Sequence, residues 1–78
     1  MSRNPEEPMF NRIEAARNSL GLSRDDLAKL TDVHYQTIGY IERGEYNPSL
    51  ALALRLAKAL EVEVSEIFSI KPFRKEKK

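Results

Sequence analysis

Residues 34 to 43 carry polar side chains whose types suit hydrogen bonding rather than catalysis. In a helix, Tyr35 would share one face with Gly39, and the adjacent Gln36 would share it with Tyr40, because each pair is four positions apart. Tyrosine hydroxyls and a glutamine amide can each donate and accept hydrogen bonds. Neither the two tyrosines nor the glutamine is charged at neutral pH, which is unusual for a face that serves solubility alone. The pattern predicts contact with a partner that is polar and has a defined shape.

The chain lacks the combinations of residues that catalysis commonly requires. The chain has no cysteine and one histidine, His34, so thiolate nucleophiles, disulfides and histidine clusters that bind metal are excluded. The paired carboxylates Asp25 and Asp26 fall in the first turn of a predicted helix, where the helix dipole already favours acids. We therefore expect no enzymatic activity, no metal and no cofactor. We interpret His34 as a plain surface or DNA-facing imidazole; a pH switch is the alternative, because the charge of an imidazole changes near neutrality.

Length and composition point to one small domain without a membrane span. The chain has 78 residues, 41% of them hydrophobic, which is enough to fold. No apolar run approaches the ~20 residues of a transmembrane helix, and the N-terminus lacks a signal peptide. We therefore expect a cytoplasmic protein.

Charge is distributed unevenly along the chain. The net charge is only +1, which argues against a nonspecific polycation. Residues 71–78 carry +4, whereas residues 9–70 carry −2 and residues 1–8 carry −1. We predict a disordered N-terminal arm at 1–8, a folded domain at 9–70 and a solvated basic tail at 71–78. A surface that binds nucleic acid would have to be a local patch, with or without this tail.

Hydrophobic periodicity predicts three helices before residue 45. The first spans 10–20, with an apolar stripe that includes Phe10 and is interrupted by Arg17. The second starts at Ser23, which forms a capping-box pair with Asp26. The third contains residues 34–43 and stops at Gly44.

Two further helices and a short strand are predicted after the loop at 45–48. Leu50 to Leu60 is a helix whose wide apolar stripe includes Leu50 and Leu54; either Asn47 or Ser49 caps it. Ser65 caps a last helix that ends at Phe68. Phe68 to Lys71 then reads as a strand that Pro72 confines to a sheet edge.

The segment 23–44 resembles the helix-turn-helix of the Cro and lambda-repressor-like family. The resemblance rests on Leu27-Ala28, Val33, Gln36-Thr37-Ile38, Ile41-Glu42, Gly44 and Asn47-Pro48-Ser49-Leu50, and it extends over roughly residues 10 to 68. It implies an all-α, five-helix DNA-binding domain. The implied function is that of a sequence-specific transcriptional regulator, more often a repressor, which inserts residues 34–43 into the major groove of double-stranded DNA. Two positions depart from the family: Asp32 replaces a glycine that adopts a left-handed conformation, and His34 replaces a Ser or Thr cap and is expected to cap poorly.

The resemblance also assigns roles to individual residues. The implied base-reading side chains are Tyr35, Gln36 and Tyr40, with Gly39 allowing close approach of the backbone; glutamine can bind adenine through N6 and N7. The residues implied to contact the DNA backbone are Arg24, Thr37, Arg43 and the loop residues Tyr46 and Asn47. His34 is expected to face the DNA. Tyr46 could instead cover the core. Arg17 is implied to form a partly buried ion pair with Glu42; the alternative is a side chain that covers apolar surface and snorkels to water.

A single helix in one groove reads few base pairs, so we expect a homodimer. Its expected contact is an apolar C-terminal cluster made of Ile67, Phe68, Ile70 and Phe73, and a strand at 68–71 could pair with its two-fold mate. Alternatively, Ile67 and Phe68 complete the monomer core. A rival function is a protein-interaction module, such as an antitoxin-like partner-binding protein, which the weak charge of residues 9–70 would favour.

Overall fold

Five helices and a two-stranded antiparallel sheet make up the regular structure of residues 9–73, the part of the chain that this computed structural model describes. The elements are β1 (Phe10–Asn11), α1 (Ile13–Ser19), α2 (Arg24–Thr31), α3 (Tyr35–Glu42), α4 (Leu50–Leu60), α5 (Val64–Ile67) and β2 (Phe68–Ser69). The predicted five-helix fold is confirmed. No helix within residues 9–73 is both long and apolar enough to cross a membrane. The predicted arm at 1–8 and the tail residues 74–78 lie outside the described residues.

The first helix is shorter than predicted, because its first residues form a strand. Phe10 pairs with Ser69, and Asn11 pairs with Phe68, in an antiparallel register. The next backbone amide, that of Arg12, donates to the carbonyl of Ile67 at 2.9 Å. The expectation that Phe10 belongs to α1 is therefore wrong. A partly buried side chain three positions before Ile13 fits a helical stripe, but it fits the end of a strand equally well.

The helices share a single apolar core. Its fully buried members come from every helix, and each residue is at most 2% exposed: Ile13, Leu27, Ala28, Ile38, Ile41, Leu56, Leu60 and Ile67. Burying a large aliphatic side chain contributes about 1.5–3 kcal/mol relative to leaving it exposed. This core fixes the mutual position of α2 and α3.

The apolar stripe of α4 was predicted too broadly. The helix buries Leu52, Leu56 and Leu60, whereas Leu50 is 72% exposed and Leu54 is 51% exposed. Most residues of α4 are apolar and they occur on nearly every side of the helix, so periodicity alone does not indicate which side faces the core. Ser49, one of the two predicted caps, accepts a hydrogen bond from the backbone amide of Leu52 at 3.1 Å.

Short polar interactions define the helix ends. Ser23 accepts from the amide of Asp26 at 2.9 Å, and Asp26 accepts from the amide of Ser23 at 2.9 Å, as the predicted capping box requires. The hydrogen bonds from the backbone and hydroxyl of Ser23 lower the pKa of Asp26. At α5 the expected cap, Ser65, is wrong: Glu63 precedes the helix and donates from its amide to the carboxylate of Glu66 at 3.4 Å, and the helix begins at Val64. A second glutamate three residues on completes this pair, which serine-based rules overlook.

Three helices meet at one buried carboxylate. Glu42 at the end of α3 accepts from Nε of Arg17 on α1 at 2.8 Å and from Nε of Arg24 on α2 at 2.9 Å. The side chain of Glu42 is 2% exposed, and that of Arg17 is 10% exposed. Hydrogen bonding to Glu42 is the main reason that the pKa of Arg17 is raised. Arg17 also donates to the carbonyl of Leu22 at 3.0 Å. Because its guanidinium is buried and pairs with Glu42, Arg17 does not snorkel to water.

Removing Glu42 should destabilise the fold more than removing Arg17. We expect Glu42→Met to lower the free energy of unfolding by about 3–5 kcal/mol, because Arg17 is left buried without its counter-charge. Arg17→Met should cost less, because Glu42 keeps Arg24 at 2.9 Å. The double variant should be more stable than Glu42→Met alone. Urea unfolding followed by circular dichroism measures all four proteins.

The exposed pair Lys29–Asp25 provides the matched control. Its atoms are 3.3 Å apart, but the side chains are 76% and 63% exposed. The same double-mutant cycle there should give a coupling of no more than about 0.5 kcal/mol. Simple additivity at Arg17 and Glu42 would contradict the coupling that we expect.

Candidate nucleic-acid interface

A tight turn joins α2 to α3 and sets the direction of the second helix. Asp32 ends α2 with φ of 60° and ψ of 46°, in the left-handed region. An aspartate tolerates this region better than most residues with a side chain, so the turn survives without glycine. The amide of Val33 then donates to the carbonyl of Ala28 at 3.1 Å, and its side chain packs against the core.

His34 caps α3, contrary to the expectation that it would cap poorly. Its Nδ1 accepts a hydrogen bond from the backbone amide of Gln36 at 3.1 Å. The imidazole ring also stacks on Tyr35, with centroids 5.0 Å apart and planes 27° apart. An imidazole nitrogen therefore takes the place of a serine hydroxyl, and the same side chain orients the first tyrosine of the helix.

The outward face of α3 lines a shallow groove of about 200 Å³. Its lining comprises Arg24, Tyr35, Gln36, Gly39, Tyr40 and Arg43. Tyr35 is 51% exposed and Tyr40 is 45% exposed. Gln36 is also exposed, whereas Thr37 is half-buried at the edge. The structure therefore brings the three expected base-reading side chains and both arginines to one surface.

Side chains cover Gly39, although the residue was expected to let the helix backbone approach the DNA closely. A Cβ at this position would lie 3.1 Å from Nη1 of Arg43 and 3.9 Å from Cζ and Nη1 of Arg24. The space above the glycine is thus occupied by two guanidinium groups. The helix backbone at Gly39 is therefore not accessible to a partner, and the two guanidinium groups are.

The two arginines are held by carboxylates and by a ring. Arg24 donates from Nε to Glu42 at 2.9 Å, and Arg43 donates from Nε to Glu45 at 3.2 Å. The guanidinium of Arg43 also lies 5.3 Å from the centroid of the Tyr40 ring. Glu42 is buried, whereas Glu45 is exposed.

The loop after α3 extends the polar surface. Tyr46 is 48% exposed, which contradicts the alternative that it covers the core. Asn47 is exposed as well. Neither residue lines the groove. They are therefore candidates for contacts beside α3 rather than on its face.

Asn11 is a residue that the sequence interpretation missed. Its Nδ2 donates to the carbonyl of Ile41 at 3.0 Å and lies 3.5 Å from that of Glu42, while its Oδ1 accepts from the amide of Ile13 at 3.1 Å. It thereby caps the start of α1 and the end of α3 together. One local signal could have identified it: an asparagine side chain often accepts a hydrogen bond from the backbone amide two residues later, and Ile13 lies two residues after Asn11.

The C-terminal cluster predicted as a dimer contact is only partly exposed. Ile67 is 1% exposed and belongs to the monomer core. Phe68 is half-buried in the sheet, and Phe73 lies under Arg12, whose Cζ is 4.4 Å from the ring centroid. Ile70 is 61% exposed. Across residues 9–73, acidic and histidine side chains do not gather in groups that could hold a metal ion.

Comparison with known proteins identifies the same motif. The model of the helix-turn-helix family HTH_3 matches residues 13–67. An uncharacterized HTH-type transcriptional regulator of Archaeoglobus fulgidus is 37% identical over 60 residues, covering 77% of this chain and 86% of the relative. A second such regulator, from Methanocaldococcus jannaschii, is 43% identical over 60 residues, covering 77% and 91%. The control protein C.SmaI of Serratia marcescens is 33% identical over 63 residues, covering 81% and 75%.

Solved structures agree with these relatives. The restriction-modification controller protein C.AhdI from Aeromonas hydrophila superposes with a TM-score of 0.66 and 39% identity, covering 69% of this chain and 82% of that one. An HTH_3 family transcriptional regulator from Vibrio cholerae gives 0.63 and 41%, covering 69% of this chain and 30% of the other. These similarities favour a DNA-binding regulator over the protein-interaction module.

The cap at His34 should contribute measurably to stability. We expect His34→Ala to lower the free energy of unfolding by about 1 kcal/mol, because the amide of Gln36 loses its acceptor. His34→Ser should restore that stability, since a serine hydroxyl can accept the same bond. Urea unfolding of the three proteins tests this expectation. Equal stability of wild type and His34→Ala would show that the imidazole does not act as a cap.

Proposed function

The chain belongs to the Cro/C1-type helix-turn-helix family of DNA-binding transcriptional regulators, and we propose that it recognises an operator by inserting α3 into the major groove. The observation that carries this proposal is the groove on α3, where three uncharged hydrogen-bonding side chains lie beside two arginines. A helix about 10–12 Å across fits a major groove about 12 Å wide. The fold presents α3 with this face outward and its other face in the core.

Base recognition is proposed for the uncharged members of the face. The amide of Gln36 carries one acceptor and two donors, which match the N6 and N7 edge of adenine. The hydroxyls of Tyr35 and Tyr40 can bond to base edges, and their rings can contact thymine methyl groups. The stacking of His34 on Tyr35 at 5.0 Å restricts the position of that ring before DNA arrives.

Contacts with the DNA backbone are proposed for residues around this face. Thr37 lies half-buried at its edge, and Asn47 and Tyr46 lie exposed in the loop that follows α3. His34, at the start of the helix, is exposed as well. Contacts of this kind fix the register of the protein on the duplex without reading its sequence.

We propose repression rather than activation as the mode of regulation. A protein that occupies promoter DNA blocks polymerase without requiring a second contact, whereas an activator needs an additional surface for polymerase. We place this activity in the cytoplasm, where bacterial and archaeal DNA lies.

Substituting Gln36 should change sequence preference without unfolding the protein. The side chain is exposed, so Gln36→Ala should leave the thermal midpoint nearly unchanged. It should cost about 1–3 kcal/mol of discrimination at one base pair. Selection of bound duplexes from a random pool, followed by competition binding, measures this loss.

Ser19→Ala is the control, because Ser19 is exposed at the end of α1 and does not line the groove. It should select the same sequences as the wild type. If Gln36→Ala also selects those sequences with undiminished discrimination, Gln36 does not read a base.

We further propose that the protein binds as a homodimer. Two recognition helices about 34–36 Å apart would read successive half-sites on one side of the duplex. Two surfaces could supply the contact: the C-terminal end with Phe68, Ile70 and Phe73, and the exposed side of α4. Leu50 and Leu54 are four positions apart on that helix and are 72% and 51% exposed.

The α4 surface is the stronger of the two. It offers two leucines with more than half of their area in water, whereas Ile70 is the one large side chain of the C-terminal cluster with comparable exposure among residues 9–73. Helix α4 also begins at the end of the loop that follows α3. A contact between two copies at Leu50 would therefore lie close in the chain to the end of α3.

Paired substitutions should distinguish these surfaces. We expect Leu50→Asp with Leu54→Asp to give a monomer in sedimentation at micromolar concentration, because each carboxylate would be desolvated in the contact. Ile70→Asp with Phe73→Asp should weaken the dimer less. The reverse order would assign the contact to the C-terminal end. A wild-type protein that is monomeric and protects a single half-site would overturn dimerisation altogether.

A further inference from the structure

We propose that Arg24 and Arg43, whose guanidinium groups converge above Gly39 on α3, read a guanine. This inference rests on the proposed insertion of α3 into the major groove. It assigns a specificity-determining role to two residues for which family resemblance implies only contacts with the DNA backbone. It also assigns a base type to the centre of the recognition face.

The two guanidinium groups converge on one point of the helix surface. Nη1 of Arg43 lies 3.1 Å from the position of a Cβ on Gly39, and Nη1 of Arg24 lies 3.9 Å from that position. Arg24 comes from the start of α2, and Arg43 directly follows α3. Any larger residue at position 39 would occupy the volume in which these groups meet.

Each arginine is braced in a way that leaves its outer donors available. Arg24 uses Nε for the buried carboxylate of Glu42, and Arg43 uses Nε for Glu45. Within the part of the chain that the structure describes, the hydrogen bonds leave the Nη atoms of both residues without a protein acceptor. The Tyr40 ring, 5.3 Å from the guanidinium of Arg43, further restricts that side chain. Such bracing reduces the conformational freedom that binding would otherwise remove.

The position of the pair favours a base over a phosphate. Gly39 lies three residues after Gln36 and four after Tyr35, so it occupies the middle of the outward face. The middle of a helix lying in the major groove meets base edges, whereas phosphates flank the groove. Guanine presents two acceptors there, N7 and O6, and an arginine fork binds both of them. The uncharged side chains of the face surround this site.

The test replaces each arginine with lysine, which keeps the positive charge but lacks the planar fork. Arg24→Lys and Arg43→Lys are compared with wild type and with Arg55→Lys, an exposed residue on α4 that does not line the groove. Sequences bound by each protein are selected from random duplexes. We expect a guanine in the wild-type site whose discrimination falls by about 5- to 150-fold in one or both groove variants. Arg55→Lys should retain it.

Gly39→Ala provides a second route to the same result. The substitution keeps both arginines, but its Cβ would lie 3.1 Å from Nη1 of Arg43 and would push that group outward by a few tenths of an ångström. Alanine favours helix more than glycine does, so α3 should remain folded. Thermal unfolding checks this point. Loss of the same guanine in Gly39→Ala would support the proposal independently of charge.

The possible failures are distinguishable. If the wild type selects a defined site but the two lysine variants keep every base preference and lose affinity equally on all sequences, the arginines contact phosphates and this inference is wrong. The proposed function would then stand. If the wild type selects no sequence at all, both proposals are overturned.

Discussion

The carboxylate of Glu42 is the interaction on which the position of the recognition helix depends. Its side chain is 2% exposed, yet it carries a charge that, within residues 9–73, only Arg17 and Arg24 balance at hydrogen-bond distance. A buried charge without a partner is costly, so α1 and α2 must approach the end of α3 from two sides. Asn11 adds a third attachment by donating to the carbonyl of Ile41. Core packing sets the distance of α3 from its neighbours, and these polar contacts set its rotation.

That arrangement connects stability with recognition. Arg17 is buried and serves the fold, whereas Arg24 is 42% exposed in its side chain and reaches the outward face from the same carboxylate. One acid therefore anchors a structural cation and orients a surface cation. A change at Glu42 cannot affect one role without the other, so its effects on DNA binding have to be measured beside its effects on unfolding.

Sequence patterns predicted the elements that depend on local chemistry and missed those that depend on distant partners. The capping box at Ser23 and the extent of α4 follow from neighbouring residues, and the structure shows both; the left-handed turn at Asp32, which the family resemblance implied, is present as well. The strand at Phe10 depends on pairing with residues almost sixty positions away, which periodicity does not register. The exposure of Leu50 and Leu54 was missed because apolar residues surround most of α4. The covering of Gly39 was missed for a different reason: it arises from the side chains of Arg24 and Arg43, and their paths depend on acids elsewhere in the fold.

Local charge balance at the recognition face bears on how the protein would distinguish its operator from other DNA. Nonspecific binding derives almost entirely from neutralised phosphates. Here residues 9–70 carry a net charge of −2, and the arginines of the face are paired with Glu42 and Glu45. Residues 9–70 therefore offer little net positive charge to hold DNA of arbitrary sequence. The affinity that this face supplies would then come mainly from hydrogen bonds that require the correct bases, which would raise the ratio of specific to nonspecific binding. A weakly charged domain with a rigid polar face is consistent with a regulator that acts at few sites.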